Sequence, residues 1–359
     1  MDSLLDEVAI KQVKIDKKNK YSVMATMVSG FENVVENQLL EILPDCSIRC
    51  KQRGKIFFDI DSSLRQLLKI KCFDNLYLFI KQFQIGTTKD DLCQIKKELL
   101  KIPYVSFLSS FCDANCSYRI HVAASRTGKH SFSRFHVAET TLDILSSLKY
   151  FEKGDANTHD LHFRIDVVDD IAYFSLKITS AIYRYRSKNR NFMPGAIRPS
   201  IANSLIWLSH PNEKDVFLDP FCGSGTIIAE REKYAHRKIL AFDVQYNAVE
   251  VTKNNVSEKI VVRQGNACKL PLKDHCVDVI VSNLPWDIQV PSDDIYKLYY
   301  TFLCEALRVL KNTGRMILLT DKENVIQQVS QKLDINLERL VQINLHGLHP
   351  SVFGMACNK

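Results

Sequence analysis

Asp215-Val216-Phe217-Leu218-Asp219-Pro220-Phe221-Cys222-Gly223-Ser224-Gly225-Thr226 decides the fold. Residues 215–219 read as an apolar strand that runs into a tight, glycine-bearing turn, and residues 223–234 then read as a helix. The rhythm continues downstream, with strands expected at 238–243, 260–264, 277–282 and 315–320 and helices at 246–257 and 294–310. Such alternation predicts an α/β domain over 211–359, Rossmann-like, with a doubly wound, mostly parallel sheet and helices on both faces. Ligands of these sheets sit at the carboxyl ends of the strands, so the turn after the first strand is the place to look for a cofactor.

Asp219, Pro220, Phe221, Cys222, Gly223, Ser224, Gly225 and Thr226 form that candidate cofactor loop. A dinucleotide fingerprint wants a third small residue where this chain has Ile228, and a phosphate-cradling loop wants a closing Gly-Lys-Ser/Thr that is absent. The loop suits S-adenosyl-L-methionine instead: Gly223 and Gly225 admit the backbone to the amino-acid end of the ligand, and Asp219 can receive its ammonium group. Asp243 closes the second strand about 20 residues on, the spacing at which an acidic side chain accepts ribose hydroxyls. After the third strand, Asn266 and Ala267 occupy the place of an adenine contact, where the Asn266 side-chain oxygen can accept from the adenine amine.

The buried-looking strand 277–282 delivers Asn283-Leu284-Pro285-Trp286 to the same edge, and these four are the candidate catalytic residues. A base amine is a poor nucleophile, because its lone pair is delocalised into the ring. An enzyme must hold its hydrogens with acceptors and aim the nitrogen at the methyl group. Asn283 offers a side-chain carbonyl, Pro285 leaves the Leu284 carbonyl available, and Trp286 offers a flat face on which a base can stack.

Upstream, residues 1–20 read as a flexible lead-in. Strands at 21–27, 55–60 and 76–83 with helices at 31–42 and 63–70 make 21–100 an α+β, ferredoxin-like unit. A second α/β unit over 101–180 has strands at 117–123, 162–167 and 172–178, the last two joined at Val168-Asp169-Asp170, and a helix at 137–148. Residues 181–210 are a basic linker in which Tyr183 to Phe192 alternates cations with aromatics. Arg184, Arg186, Lys188, Arg190 and Arg198 there, with Arg119 and Lys129 in the second unit, are the candidate RNA-binding residues.

These motifs together resemble the THUMP-domain RNA guanine-N2 methyltransferases, whose catalytic loop is Asp/Asn-Pro/Leu-Pro-aromatic. The resemblance rests on Asn283 to Trp286, the cofactor loop, the run Pro194-Gly195-Ala196-Ile197-Arg198-Pro199-Ser200 and the order of the units. It implies a THUMP-like role for 101–180 and transfer of a methyl group from S-adenosyl-L-methionine to the N2 amine of guanosine in RNA, tRNA first and a small nuclear RNA second. Leu284 resembles the branch that works with a small zinc-binding methyltransferase-activator subunit. Phe221 stands where many members have Met, and Trp286 where Tyr or Phe is commoner. The same residues also admit amine methylation of adenine or of a protein glutamine, and a catalytically silent RNA-binding subunit.

Composition narrows the classes further. Of 359 residues 46% are hydrophobic, enough for at least one large core, and 48 Lys and Arg against 41 acidic residues permit a polyanionic partner. No apolar run of membrane-spanning length and no signal-peptide core are evident, so the 11 cysteines are expected as reduced thiols in the cytoplasm or nucleus. The pairs Cys46/Cys50 and Cys112/Cys116 lack zinc-knuckle turn chemistry, and His346-Gly347-Leu348-His349 lacks further ligands, so no metal site is expected.

Overall fold

The computed structural model describes residues 9–113, 115–186, 190–286, 295–345 and 347–356. Lys188 of the expected RNA-binding set and His346 of the His346–His349 run lie outside them. The described residues divide into two compact units, one made of those up to Thr26 with Leu39–Arg184, the other of Met27–Gln38 with those from Tyr185 on.

The first unit contains β1 (Lys18–Thr26), the end of α1 (Glu32–Ile42), β2 (Ser47–Gln52), β3 (Lys55–Ser63), a 3-10 helix at Leu64–Lys69 and β4 (Asn75–Gln84). It continues with α2 (Cys93–Leu99), α3 (Tyr104–Ser109), β5 (Tyr118–Thr127), α4 (Arg134–Ser146), β6 (Phe151–Lys153), β7 (Leu161–Val168) and β8 (Ile171–Lys177). Among the described residues these strands form one eight-stranded sheet in the order β2-β3-β1-β4-β8-β7-β5-β6. The stretches 21–100 and 101–180, expected as separate units, therefore share a sheet. β4 runs antiparallel to β8, with Leu78 opposite Leu176, and this pairing satisfies the ladder groups that two separate sheets would leave at open edges. The hairpin at Val168 turns on Asp169, which takes φ +52. Edge strand β2 escaped the sequence reading because Ser-Ile-Arg-Cys-Lys-Gln lacks a buried alternating face.

The second unit holds α5 only from its last residue, Tyr185 (Ala181–Tyr185), then α6 (Pro199–Leu208), β9 (Val216–Asp219), α7 (Thr226–Arg231), β10 (Lys238–Asp243), α8 (Tyr246–Asn255) and β11 (Val261–Gln264). After these come β12 (Val277–Asn283), α9 (Ile295–Val309), β13 (Leu310–Thr320), α10 (Glu323–Lys332), β14 (Glu338–Gln342) and β15 (Ser351–Ala356). The seven-stranded sheet runs β11-β10-β9-β12-β13-β15-β14. Its first five strands are parallel and β15 is antiparallel to both neighbours, so the α/β doubly wound, mostly parallel class is what the chain adopts. Tyr299, Phe302, Leu303 and Ala306 lie at helical spacing on one face of α9 and pack with Leu218, Ile280 and Leu318 of the strands.

The expected basic linker 181–210 is corrected by α6. Pro199 starts that helix at a position where no intrahelical N–H is needed, and every residue from Pro199 to Ile206 is buried. Ile201, Leu205 and Ile206 stand at the spacing of a packed helical face beside the basic run.

Chain order reverses between β9 and β12: β10 and β11 extend one side of β9, and the chain then crosses to β12 and β13 on the other. At such a switch the loops after the two strands diverge and leave a cleft. The entrance to β9 is fixed by Asp215, buried, whose Oδ2 accepts from Arg231 at 3.3 Å, from Arg315 at 2.8 Å and from the Asn212 N–H at 2.7 Å. Arg231 is itself fully buried and also donates to the carbonyls of Asn212, Tyr234 and Ala235. Asp215→Ala removes the anion these guanidiniums share, and the expected cost is about 3–5 kcal/mol, read as a lowered urea midpoint; an unchanged midpoint would refute the anchoring role.

Candidate active site

Phe217 of β9 lies opposite Val279 of β12 and Leu218 opposite Ile280, so Asp219 and Asn283 emerge from adjacent strand ends. Between them and the ends of β10 and β11 opens a cavity of about 540 Å³, a size usual for small-molecule sites. Its walls include Asp219 to Ser224, Thr226, Asp243, Asn266, Ala267, Asn283, Leu284 and Pro285. The expected cofactor loop, ribose acid, adenine-side pair and first three loop residues are thus brought to one space. Gly225 and Trp286 are not among the wall residues.

Both loop glycines are required by the backbone. Gly223 takes φ +54 and Gly225 φ +75, a region costly for side chains, and a Cβ at Gly225 would lie 2.8 Å from Thr252 Cγ2. A Cβ at Gly223 would meet no described atom within 4 Å, which leaves that backbone open to a ligand. Thr252 holds the turn from behind by donating to the Gly223 carbonyl at 2.7 Å. Asp243 closes it in front: one oxygen accepts from Gly223 N at 2.9 Å and the other from Gln245 N at 2.9 Å.

Asp219 is 1% exposed, and its Oδ1 accepts from Ser282 Oγ at 2.7 Å and from Phe221 N at 3.2 Å. Burial pushes its carboxyl up to about 7, with Asp243 adding to the rise and the two hydrogen bonds opposing it. A carboxyl so poised is neutral or charged according to whether a cation lies beside it. Three more polar atoms of wall residues, Ser224 Oγ, Thr226 Oγ1 and Asn283 Oδ1, are buried with no hydrogen-bond partner among the described residues. Buried polar groups are ordinarily paired, so this set awaits donors and acceptors from a ligand. The ammonium, carboxylate and ribose hydroxyls of adenosylmethionine supply both kinds, and the residues present fit that molecule.

The catalytic loop is held at several points. Leu284 N donates to Leu319 O at 2.9 Å, and the Tyr299 hydroxyl donates to the Pro285 carbonyl at 2.9 Å while meeting Thr320 Oγ1 at 2.7 Å. Tyr299 and Ser282 are positioning residues that pattern reading missed: Tyr299 read as one more core residue of α9, and Ser282 as a strand end. Trp286 departs from expectation. Its indole is 3% exposed, its Nε1–H has no partner among the described residues, and packing rather than a free stacking face is what the structure gives it. Asn266 lies on the cavity wall, and its side-chain oxygen accepts from Cys268 N at 2.9 Å across a short turn. That contact uses one lone pair of the oxygen and leaves the second able to accept from an adenine amine.

Of the expected RNA-binding arginines, two serve the domain itself. Arg186 lies 3.6 Å from Glu230, a fully buried carboxyl that burial would raise but that Lys233, Arg186 and Arg190 together hold below the usual range. Arg190 donates to the Gly225 carbonyl at 3.0 Å, and Asn191 and Ser224 O are both tied to Asn255. From there Met193 to Ile197 run along the cavity as part of its wall, a role not anticipated for a run read as linker. Arg184 and Arg198 are half-buried, Arg119 pairs with Asp160 at 3.3 Å on the surface, and Lys129 is exposed.

Residues 186–351 match the family model described as UPF0020, RMKL-like, methyltransferase domain. This stretch is an RMKL-like methyltransferase domain. The chain is similar over most of its length to a mouse protein named tRNA (guanine(6)-N(2))-methyltransferase THUMP3, at 24% identity covering 92% of this chain and 88% of that one. It is likewise similar to the tRNA (guanine(6)-N2)-methyltransferase of Methanocaldococcus jannaschii, at 22% identity covering 91% and 98%. Among solved structures, TrmN from Thermus thermophilus superposes with a TM-score of 0.78 at 21% identity, covering 94% of this chain and 99% of that one. These likenesses place the methyltransferase domain and its cleft in the fold that the strand order describes.

The Asp219 environment sets a pH dependence for the methyltransferase domain. An ammonium received by Asp219, the role expected of it, would favour the ionised carboxyl, so adenosylmethionine affinity is predicted to be full above about pH 7 and to fall as the carboxyl of the free protein becomes protonated. Titration calorimetry should show Kd rising by up to about tenfold per pH unit below about 7, a dependence that Asp219→Asn removes; a flat wild-type profile would count against the assignment.

Proposed function

We propose that this chain transfers a methyl group from S-adenosyl-L-methionine to the exocyclic N2 amine of a guanosine in tRNA. The observation that carries the reading is Asn283 Oδ1: a buried acceptor without a partner among the described residues, on the wall of the cavity that also holds the glycine turn and Asp219. When bound, adenosylmethionine supplies an electrophilic methyl group. Asn283 accepts one amine hydrogen of the base and, with the Leu284 carbonyl, turns the nitrogen lone pair toward that methyl group. Tyr299 fixes the loop through the Pro285 carbonyl so that the acceptor need not reorganise. The amine proton leaves to solvent or to the substrate's own surroundings after transfer, and no covalent enzyme intermediate is required.

Guanosine in tRNA is favoured over adenine or a protein side chain by the names of the relatives that span this chain from end to end. Those named for guanine 6 include proteins covering 91% or 92% of it, whereas those named for guanine 10 cover 42% and 67%. Position 6 is accordingly the site of choice. Residues 101–180 act as the THUMP-like RNA-binding part, with Arg119 and Lys129 on its surface. Leu284 supports a small zinc-binding activator subunit as partner, by resemblance. Among the described residues no helix is long and apolar enough to cross a membrane.

Asn283→Ala tests the reading. Turnover should fall at least about a hundredfold, as for loss of one preorganised group in a site of this kind, while adenosylmethionine Kd by calorimetry stays within a factor of three or so. Turnover close to wild type would remove Asn283 from the chemistry.

A further inference from the structure

Burial of Trp286 leaves the site short of a stacking surface. A base drawn out of an RNA strand loses its stacking neighbours, and a protein that takes it offers a π-face in exchange. Trp286 is 3% exposed and off the cavity wall, so that face must come from elsewhere.

Two exposed aromatics of the same unit meet next to the cavity wall, where Phe192 directly precedes the wall residue Met193. Tyr185 is 45% and Phe192 44% exposed, and their rings meet edge to face at 6.3 Å and 67°. The Arg190 guanidinium lies over the Phe192 ring at 5.6 Å. Phe192 is bracketed on both sides by residues fixed to the site. Asn191, before it, exchanges two hydrogen bonds with Asn255, at 3.1 and 2.8 Å, and Asn255 also donates to the Ser224 carbonyl at 2.8 Å. Met193, after it, is part of the cavity wall. Arg190 is tied in turn to the Gly225 carbonyl. Phe192 is therefore carried on a segment anchored to the glycine turn, beside the cavity whose wall also includes Asp219 and Asn283.

Other exposed aromatics of this unit are placed less well. Tyr246 is 64% exposed but follows Asp243 and Gln245, on the ribose side of the cavity. Tyr296 has its ring stacked on Tyr300 at 6.4 Å and 14°, which occupies one of its faces already.

We propose that Phe192, supported edge-on by Tyr185 and backed by Arg190, is the stacking platform for an unpaired nucleobase of the RNA substrate at the mouth of the methyl-transfer cavity. This rests on the RNA methylation reading and adds to it a binding residue that the catalytic loop does not supply. Arg190 lies over the Phe192 ring and Tyr185 meets it at a steep angle, yet the residue remains 44% exposed, and that exposed surface is what it offers the base. The cation behind the ring strengthens the contact in the way basic and aromatic residues do in single-strand sites.

The test is a set of Phe192 variants of the full chain, with unfractionated tRNA as substrate and labelled adenosylmethionine as donor. Phe192→Ala and Phe192→Leu should both raise KM for tRNA about tenfold, as loss of one stacked base implies. Phe192→Trp should stay near wild type, and adenosylmethionine Kd should be unchanged in all three. Rescue by Leu would mean that apolar packing suffices, and unchanged KM in Ala and Leu would mean that no base rests there; either overturns the proposal. Absence of methyl transfer to tRNA by the wild-type chain would instead overturn the underlying reading, so the two failures are told apart by the wild-type lane.

Discussion

Parallel pairing of β9 with β12 is the constraint on which the rest depends. It pairs residues that are 62 apart in sequence, brings the two strand ends side by side at the point where strand order reverses, and sets Ser282 Oγ 2.7 Å from Asp219. One hydrogen bond thereby joins the strand that carries the cofactor turn to the strand that carries the catalytic loop. Everything with chemical character in the second unit is arranged around that seam: the glycine turn and Asp243 on one side, Asn283 and the Tyr299-held Pro285 on the other.

The seam is built at a cost. Asp219 sits where burial disfavours its charge, and Ser224, Thr226 and Asn283 bury polar atoms that lack partners among the described residues. A structure selected for stability alone would satisfy or remove them. Their convergence on one cavity, opposite a backbone segment that only glycine can form, is how preorganised acceptors and donors are held ready for a ligand. Beneath them the fully buried Arg231 is held by four acceptors, so the entrance to β9 is fixed by paired polar groups.

Much of this was legible in the sequence because the signals are local. Gly223 and Gly225 mark backbone that needs positive φ, alternation after Asp215 marks the parallel sheet, and Asn-Leu-Pro-Trp at a strand end marks a loop at the carboxyl edge. What escaped was whatever depends on partners distant in sequence. Tyr299 looks like any aromatic on the inner face of a helix until Pro285 is seen beside it. Trp286 looks like a stacking residue until the packing around it is known, and Arg186 and Arg190 look like RNA ligands until Glu230 and the Gly225 carbonyl are found to hold them. Strand β4 could not announce that its partner would be β8, because β-pairing is settled by which edges remain open rather than by either strand alone.

The most direct measurement is the chemical identity of the product: labelled methyl groups transferred to tRNA by the purified full chain, co-expressed with and without an activator subunit, followed by mass spectrometry of the nucleosides. Label recovered as N2-methylguanosine is the predicted result. Label on adenosine, or on protein with none in RNA, would contradict the account at its centre.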